Sequence, residues 1–339
     1  MDIESPLISV IIPNYNRGDL LPETLDSLLG QTYPAWEAMV VDDGSTDNSL
    51  EVGKQYAAKD ARIRFILRNR EPSGAPVCRN IGFEASTGNY IIFLDSDDLL
   101  SRTALSQRID VIGREPEYDF WVFPILMFRK SPADATMLWN IDNGEPDLHR
   151  FLILDAPWQT SGPIWRREAV QKIGGFTEGL ACWQDVDFHL KALIAPLKGL
   201  KSYRSDPDVF YRQHETQSIS QGEISSPAKL KSRFQLFTTH ADALLPSLTR
   251  SSRDDLRLLG GNIAIGAAKA LNTAIADAVI RYGLRTKIFN PLIAFQLRVL
   301  VILYLLRLNR LPVFGQIILK ATNKYRQDSH IGKHRHVKE

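Results

Sequence analysis

Four short, almost wholly apolar runs, each cut off by a polar turn and each followed by a helical pattern, constrain the fold of this chain most. Leu7-Ile8-Ser9-Val10-Ile11-Ile12 is broken by Pro13-Asn14-Tyr15-Asn16, and Ala38-Met39-Val40-Val41 ends at Asp42-Asp43-Gly44-Ser45. Ile63-Arg64-Phe65-Ile66-Leu67 is the third run, and Tyr90-Ile91-Ile92-Phe93-Leu94 runs into Asp95-Ser96-Asp97. Between them Leu21, Leu25, Leu28 and Leu29 fall on one helical face. Asp47 stands where it would cap a helix through Leu50, Val52 and Tyr56, and a further helix carries Arg79, Asn80 and Ala85 ahead of Gly88. Strands this apolar need cover on both faces, which alternating strands and helices supply around a parallel sheet. The expected class is therefore α/β, a Rossmann-like, mostly parallel sheet flanked by helices.

The later chain reads differently. Residues 120–123 and 125–128 are strand material around Pro124. Residues 166–173 read as a helix stopped by Gly174-Gly175, and 184–193 as another. Beyond about residue 228 the pattern is helical throughout, with an apolar stretch over 288–308 interrupted by Gln296 and Arg298. Charge divides at the same place: residues 1–228 carry 22 Lys+Arg against 33 Asp+Glu, a net of −11, and the remainder 19 against 6, a net of +13. Two regions facing different partners are expected, an α/β domain over 1–226 and a basic helical region over 227–339. With 44% hydrophobic and 24% charged residues the chain has the composition of a globular protein. Cys78 and Cys182 form neither a metal motif nor a disulfide framework, and Met1-Asp2-Ile3-Glu4-Ser5 has no basic leader. The expected setting is cytoplasmic, peripheral on the inner face of the cell membrane.

In an open α/β sheet, ligands bind at the carboxyl edge of the strands. Adjacent parallel strands would bring residues 13–17, 42–45 and 95–97 to that edge. Two carboxylates one residue apart repel unless a cation joins them, and hard oxygens suit Mg²⁺ or Mn²⁺, which would in turn hold a diphosphate. Taken alone, Asp-Ser-Asp is better read as a solvated acidic turn, and Asp-Gly-Ser as an ordinary turn. Asp42 is better read as a turn former, while Asp43 can accept from a uracil N–H or a ribose hydroxyl. Asp185 and Asp187, at the start of a helix, are by themselves better read as first-turn charges at the positive end of its dipole.

Taken together, Ser9-Val10-Ile11-Ile12-Pro13-Asn14-Tyr15-Asn16, Val41-Asp42-Asp43-Gly44-Ser45-Thr46-Asp47 and Phe93-Leu94-Asp95-Ser96-Asp97-Asp98 resemble the family 2 glycosyltransferases of the GT-A fold. Arg79-Asn80-Ile81-Gly82 with Gly88, and Gly174-Gly175-Phe176 followed by Gln184-Asp185-Val186-Asp187, are similar to that family too; the likeness covers about residues 5–222. It implies an inverting transferase using a nucleotide-diphospho-sugar, usually a UDP-sugar, with a divalent metal, Mn²⁺ or Mg²⁺. Pro13 and Tyr15 would line the base pocket and Asp43 would read the uracil. Asp95 would contact the ribose and Asp97 would bind the metal. Asn16, Arg17, Gly74, Arg79 and Ser96 complete the expected donor site. His214 would face the metal or diphosphate, and Arg212 a phosphate. Asp98 is either a helix cap or part of this edge. Asp185 matches the catalytic base, but Gln184 stands where the family usually has Glu. Trp183 and Gln184 would flank the acceptor. Trp158 and Trp165 stand toward the same side, but a tryptophan is also a core residue, and of the three Trp183, two residues before Asp185, is the one read as facing substrate. The Gln-x-x-Arg-Trp motif of processive members is missing, which favours transfer of one sugar.

The acceptor implied is a glycan or lipid-linked intermediate of surface polysaccharide or lipopolysaccharide. In the basic apolar helix near 292–308 the unbroken apolar run, Val299 to Leu306, is only eight residues, too short to span a bilayer; the helix suits an anionic membrane interface, a dimer seam or packing on the first domain. No stacking module accompanies the positive charge, so no nucleic-acid partner is expected. Two rivals remain. A sugar-phosphate nucleotidyltransferase would need a glycine-rich basic loop after the first strand, where this chain has Pro13-Asn14-Tyr15-Asn16. A degenerate sugar-nucleotide-binding scaffold would not need Asp43, Asp95, Asp97 and Asp185 together.

Overall fold

The computed structural model describes residues 5–139, 142–214, 226–310, 315–316 and 320–322. The first half alternates as the apolar runs require: β1 (Ile8–Asn14), α1 (Leu21–Leu29), β2 (Trp36–Asp42), α2 (Ser49–Lys59), β3 (Ile63–Leu67), α3 (Ala75–Ala85) and β4 (Tyr90–Phe93). Next come β5 (Leu99–Leu100), α4 (Ala104–Arg114), β6 (Phe120–Val122), β7 (Ile125–Phe128), β8 (Met137–Leu138), α5 (Asp147–Leu152), β9 (Pro163–Arg166), α6 (Arg167–Lys172) and α7 (Gln184–Ile194). The short strands β10 (Gly199–Lys201) and β11 (Val209–Arg212) precede the helices α8 (Pro227–Leu244), α9 (Arg250–Lys269), α10 (Thr273–Arg285) and α11 (Pro291–Leu305).

Seven strands form the main sheet in the order β10-β6-β9-β4-β1-β2-β3. The pairs β4–β1, β1–β2 and β2–β3 are parallel, whereas β9 runs antiparallel between β4 and β6. The sheet is thus mixed. Residue 166, read from sequence as the start of a helix, closes β9 instead, and α6 begins one residue later. Pro124 separates β6 from β7 because the two belong to different sheets. The smaller one has the order β5-β11-β7-β8.

Both faces of the main sheet are buried. Ile8, Val10 and Ile12 pack with Leu21, Leu25 and Leu28 on one side; Ile11, Met39, Ile91 and Phe93 pack with Phe176 and Phe188 on the other. α3 lies so close to β1 that a Cβ on Gly82 would stand 2.5 Å from Ile11 Cγ2. The stop after α6 is a Schellman turn: Gly174 N donates to Gln171 O (3.0 Å) and Gly175 N to Val170 O (3.1 Å), both glycines at positive φ. The second apolar layer runs without a break into Leu236, Phe237, Leu256, Leu259, Phe289, Leu297 and Leu300, so the C-terminal helices share a core with the sheet.

Trp158 and Trp165 belong to that core and do not flank an acceptor, being 2% and 0% exposed. Trp165 stacks on Phe120 at 4.5 Å and lies parallel to the His189 ring at 5.9 Å. Burial lowers the His189 imidazole to about 3, so it stays neutral inside this aromatic layer.

Candidate active site

The parallel register gathers the first three site segments. Asn14 pairs with Asp42 across β1 and β2, and Ile11 with Phe93 across β1 and β4, so residues 13–17, 42–45 and 95–97 emerge on one edge. Pro13 is buried at the end of β1, while Tyr15 next to it is 56% exposed, an aromatic face held out at the rim. Asn16 adopts positive φ, accepting from Thr46 N (2.8 Å) through Oδ1 and donating its own N–H to Ser45 Oγ (2.9 Å). Asp42 is the turn former expected. Its oxygens accept from Gly44 N, Ser45 N, Ser45 Oγ and Asn14 Nδ2. Asp43, by contrast, is ion-paired to Arg68 at 2.6 Å. Arg68 follows β3 directly, a partner that no motif in the sequence indicated. Gly74, at φ 124°, opens α3, which carries Arg79.

Arg79 is 5% exposed and donates to Asp95 Oδ1 (2.6 Å) with its guanidinium over the Phe176 ring. Ser96 is buried, and its carbonyl accepts from Thr24 Oγ1 (3.0 Å). Asp97 Oδ2 meets His214 Nε2 at 2.8 Å and Arg17 Nε at 3.3 Å. Burial pushes the Asp97 carboxyl upward, but the His214 hydrogen bond and the Arg17 charge outweigh it and hold the group below its usual range. The small sheet makes this contact. β5 follows Asp97-Asp98 at once, and β11 pairs with it antiparallel, Val209 opposite Leu100 and Phe210 opposite Leu99. Two residues past the end of β11, His214 then stands beside Asp97. The segment that follows it, Glu215 to Ser220, lies outside the described residues.

Two readings are corrected here. Asp98 caps no helix; it is 1% exposed and accepts from Arg212 N (3.0 Å), Ser161 Oγ (3.0 Å) and Gln159 Nε2 (3.2 Å). Burial, then the charges of Asp97 and Asp95, raise its carboxyl well above the ordinary value. Arg212 is not free for phosphate, since it donates to Glu23 Oε2 (2.7 Å) and to the Asp97 carbonyl (3.0 Å). Both residues brace the edge that carries Asp97.

The base candidate comes from the other side. Asp185 lies half-buried in the first turn of α7, and burial raises its carboxyl above the ordinary range, with Arg79 opposing the shift. Trp183 precedes it in the left-handed region (φ 58°), and Gln184 reaches back to the Leu180 carbonyl (2.9 Å). This is what Gln184 does in place of a second carboxylate: it ties down the loop ahead of Asp185. α8 holds the same loop. Ser232 Oγ accepts from Ala181 N (2.9 Å), Cys182 Sγ reaches the Lys229 carbonyl (3.5 Å), and the Arg233 guanidinium sits 4.6 Å from the Trp183 ring. A buried His240–Asp187 pair at 2.9 Å fixes α7 itself. Arg233 and His240 were not singled out in the sequence; no motif links them to residues about fifty positions away.

A metal would find one carboxylate and one imidazole at Asp97 and His214. Among the described residues no group of three or more His, Cys, Asp and Glu is set to hold one. Two protein ligands nevertheless fit a hard cation whose remaining positions go to substrate phosphate and water.

A mostly parallel sheet with acidic turns on its carboxyl edge, closed by a small second sheet, defines a GT-A fold. S. aureus TarS 1–349, in complex with UDP-GlcNAc, matches it with a TM-score of 0.57 at 18% identity, over 81% of this chain and 89% of that one. By sequence, residues 9–173, just under half of the chain, match the model for Glycosyl transferase family 2, so the chain carries a domain of that family. It is 37% identical over 130 residues to the putative teichuronic acid biosynthesis glycosyltransferase TuaG of Bacillus subtilis, which is 38% of this chain and 51% of that protein. It is 40% identical over 225 residues to the uncharacterized glycosyltransferase EpsJ of the same organism, 60% of this chain and 62% of that protein. The chain thus spans roughly half to three-fifths of the length of these two relatives.

Proposed function

We propose that this chain moves one sugar, with inversion, from a UDP-sugar to a hydroxyl of a glycan or lipid-linked acceptor in surface-polysaccharide synthesis. The observation that carries the proposal is the convergence of Asp97 and His214 at 2.8 Å on an edge shared with Arg79–Asp95, with a half-buried Asp185 in the first turn of α7. The UDP-GlcNAc complex of TarS and the teichuronic acid role ascribed to TuaG support the choice of donor and pathway class.

In this reading Tyr15 stacks on the base, and Asp43, oriented by Arg68, accepts its N–H. Asp95, held by Arg79, takes a ribose hydroxyl. Asp97 and His214 would hold Mn²⁺ or Mg²⁺, which when bound would supply Lewis-acid stabilisation of the diphosphate leaving group. Asp185 removes the proton from the attacking acceptor hydroxyl. A single base and a single displacement invert the anomeric centre, and a carboxyl raised by burial is the better proton acceptor near neutral pH. Trp183 offers the acceptor sugar a flat apolar face.

Calorimetry of UDP with and without EDTA, on the parent and on Asp97→Ala, tests the donor half. The parent should lose affinity with EDTA and the variant should lose the metal dependence; equal affinity in all four measurements would overturn it. UDP release from a panel of UDP-sugars tests the reaction. Binding without turnover would assign a scaffold. Pyrophosphate release from a nucleoside triphosphate and a sugar 1-phosphate would assign a nucleotidyltransferase.

A further inference from the structure

α11 has two apolar faces, and only one of them is used. Ala294, Leu297 and Leu300 are buried against the helical core. On the opposite face Leu292, Phe295, Ile302 and Leu306 are exposed by 63%, 64%, 52% and 64%, with Val299 completing the stripe. Their spacings of three and four residues keep them on one side of the helix. A run of exposed large apolar side chains of this length is uncommon on a free protein surface. Among the described residues no helix is long and apolar enough to cross a membrane.

The charge around the stripe identifies what covers it. From Ala278 to Gln327 the chain has no Asp or Glu, and it has nine Lys and Arg. Arg298 flanks the stripe within α11; Arg307 and Arg310 follow its end, and Arg281, Arg285 and Lys287 precede its start, all exposed. A second copy docked face to face would bring two such sets of cations together with no carboxylate from this stretch to pair them. An anionic lipid surface complements both features at once: the apolar side chains enter the headgroup boundary and the cations meet the lipid phosphates. We infer that the exposed face of α11 docks this protein in the plane of an anionic membrane surface. This inference does not depend on the reaction proposed above.

Vesicle flotation of the full chain tests it. The protein should float with vesicles of phosphatidylcholine containing phosphatidylglycerol, should stay at the bottom with phosphatidylcholine alone, and should detach in high salt as the cations are screened. Leu292→Ser, Phe295→Ser and Ile302→Ser together should lower the partition coefficient by at least about tenfold. Their melting curve should stay that of the parent, because these side chains are already exposed. No flotation of the parent would overturn the inference, and so would undiminished flotation of the triple variant. Light scattering supplies the other decisive outcome: a dimer that the triple variant converts to monomer would assign the face to a second copy.

Discussion

Arg108→Met is expected to cost this fold a large part of its stability, and the structure sets the size of the loss. Arg108 lies on α4 at 0% exposure and grips Asp208 in a fork, Nε to Oδ2 at 2.7 Å and Nη2 to Oδ1 at 2.9 Å. Asp208 is 1% exposed and stands just before β11. Nη2 also reaches the Ser161 carbonyl (3.3 Å), and Ser161 Oγ in turn holds Asp98. Methionine replaces the apolar stem but leaves a buried carboxylate without its cation, a loss of about 3–5 kcal/mol. At roughly 2–4 °C per kcal/mol for a chain of somewhat smaller size, melting should fall by about 6–20 °C. Burial already raises the Asp208 carboxyl, against the pull of Arg108. Without Arg108 it rises further, so its protonated form is favoured in the folded state. The deficit is therefore smallest below the unfolded carboxylate value of about 4 and grows as pH rises above it. Scanning calorimetry of Arg108→Met, Asp208→Leu and the double variant decides the matter. The double variant should be more stable than Arg108→Met, since removing both charges leaves none buried alone. A single variant within about 1 kcal/mol of the parent, or a double variant whose loss is the sum of the two singles, would refute the reasoning.

Asp185→Asn should cut turnover by about 10²–10⁴-fold with UDP binding near normal, and full activity would place the base elsewhere. Because burial raises the Asp185 carboxyl and only its ionised form accepts a proton, the acid limb of kcat/KM should fall above the ordinary carboxylate range; a limb at the ordinary value would contradict this. His240→Leu should lower kcat by up to ~10²-fold while leaving the UDP dissociation constant in place, since it loosens the helix that carries the base and touches no donor residue. An unchanged kcat would confine His240 to stability.

The apolar runs and the turns that end them were enough to determine the parallel half of the sheet, its helices and the edge where Pro13, Asp43 and Asp95 emerge. A strand buried on both faces must be apolar throughout, and a chain leaving it must turn, so both signals are local. The Schellman stop at Gly174-Gly175 was legible for the same reason. Asp42 could be told from Asp43 because the first carboxylate of Asp-Asp-Gly-Ser is the one placed to accept from the N–H groups two and three residues on. What tertiary structure alone decided lies between segments distant in sequence. The resemblance implied both His214 and Asp97 at the metal, but the contact itself exists because β11 adds to β5 antiparallel, 117 residues on. Asp98 is buried, not a cap, because Ser161, Gln159 and the Arg212 backbone converge on it, and Arg212 is spent on Glu23. Trp165 is in the core because β9 inserts antiparallel between β4 and β6, a placement no periodicity in four residues can announce, and Trp158 is there because it packs on Phe120 and Phe151. The charge split at residue 228 marked a change of composition, yet α8 is tied to the loop ahead of Asp185 and shares its core. Composition is additive along the chain, whereas which residues meet depends on how strands and helices from both halves pack.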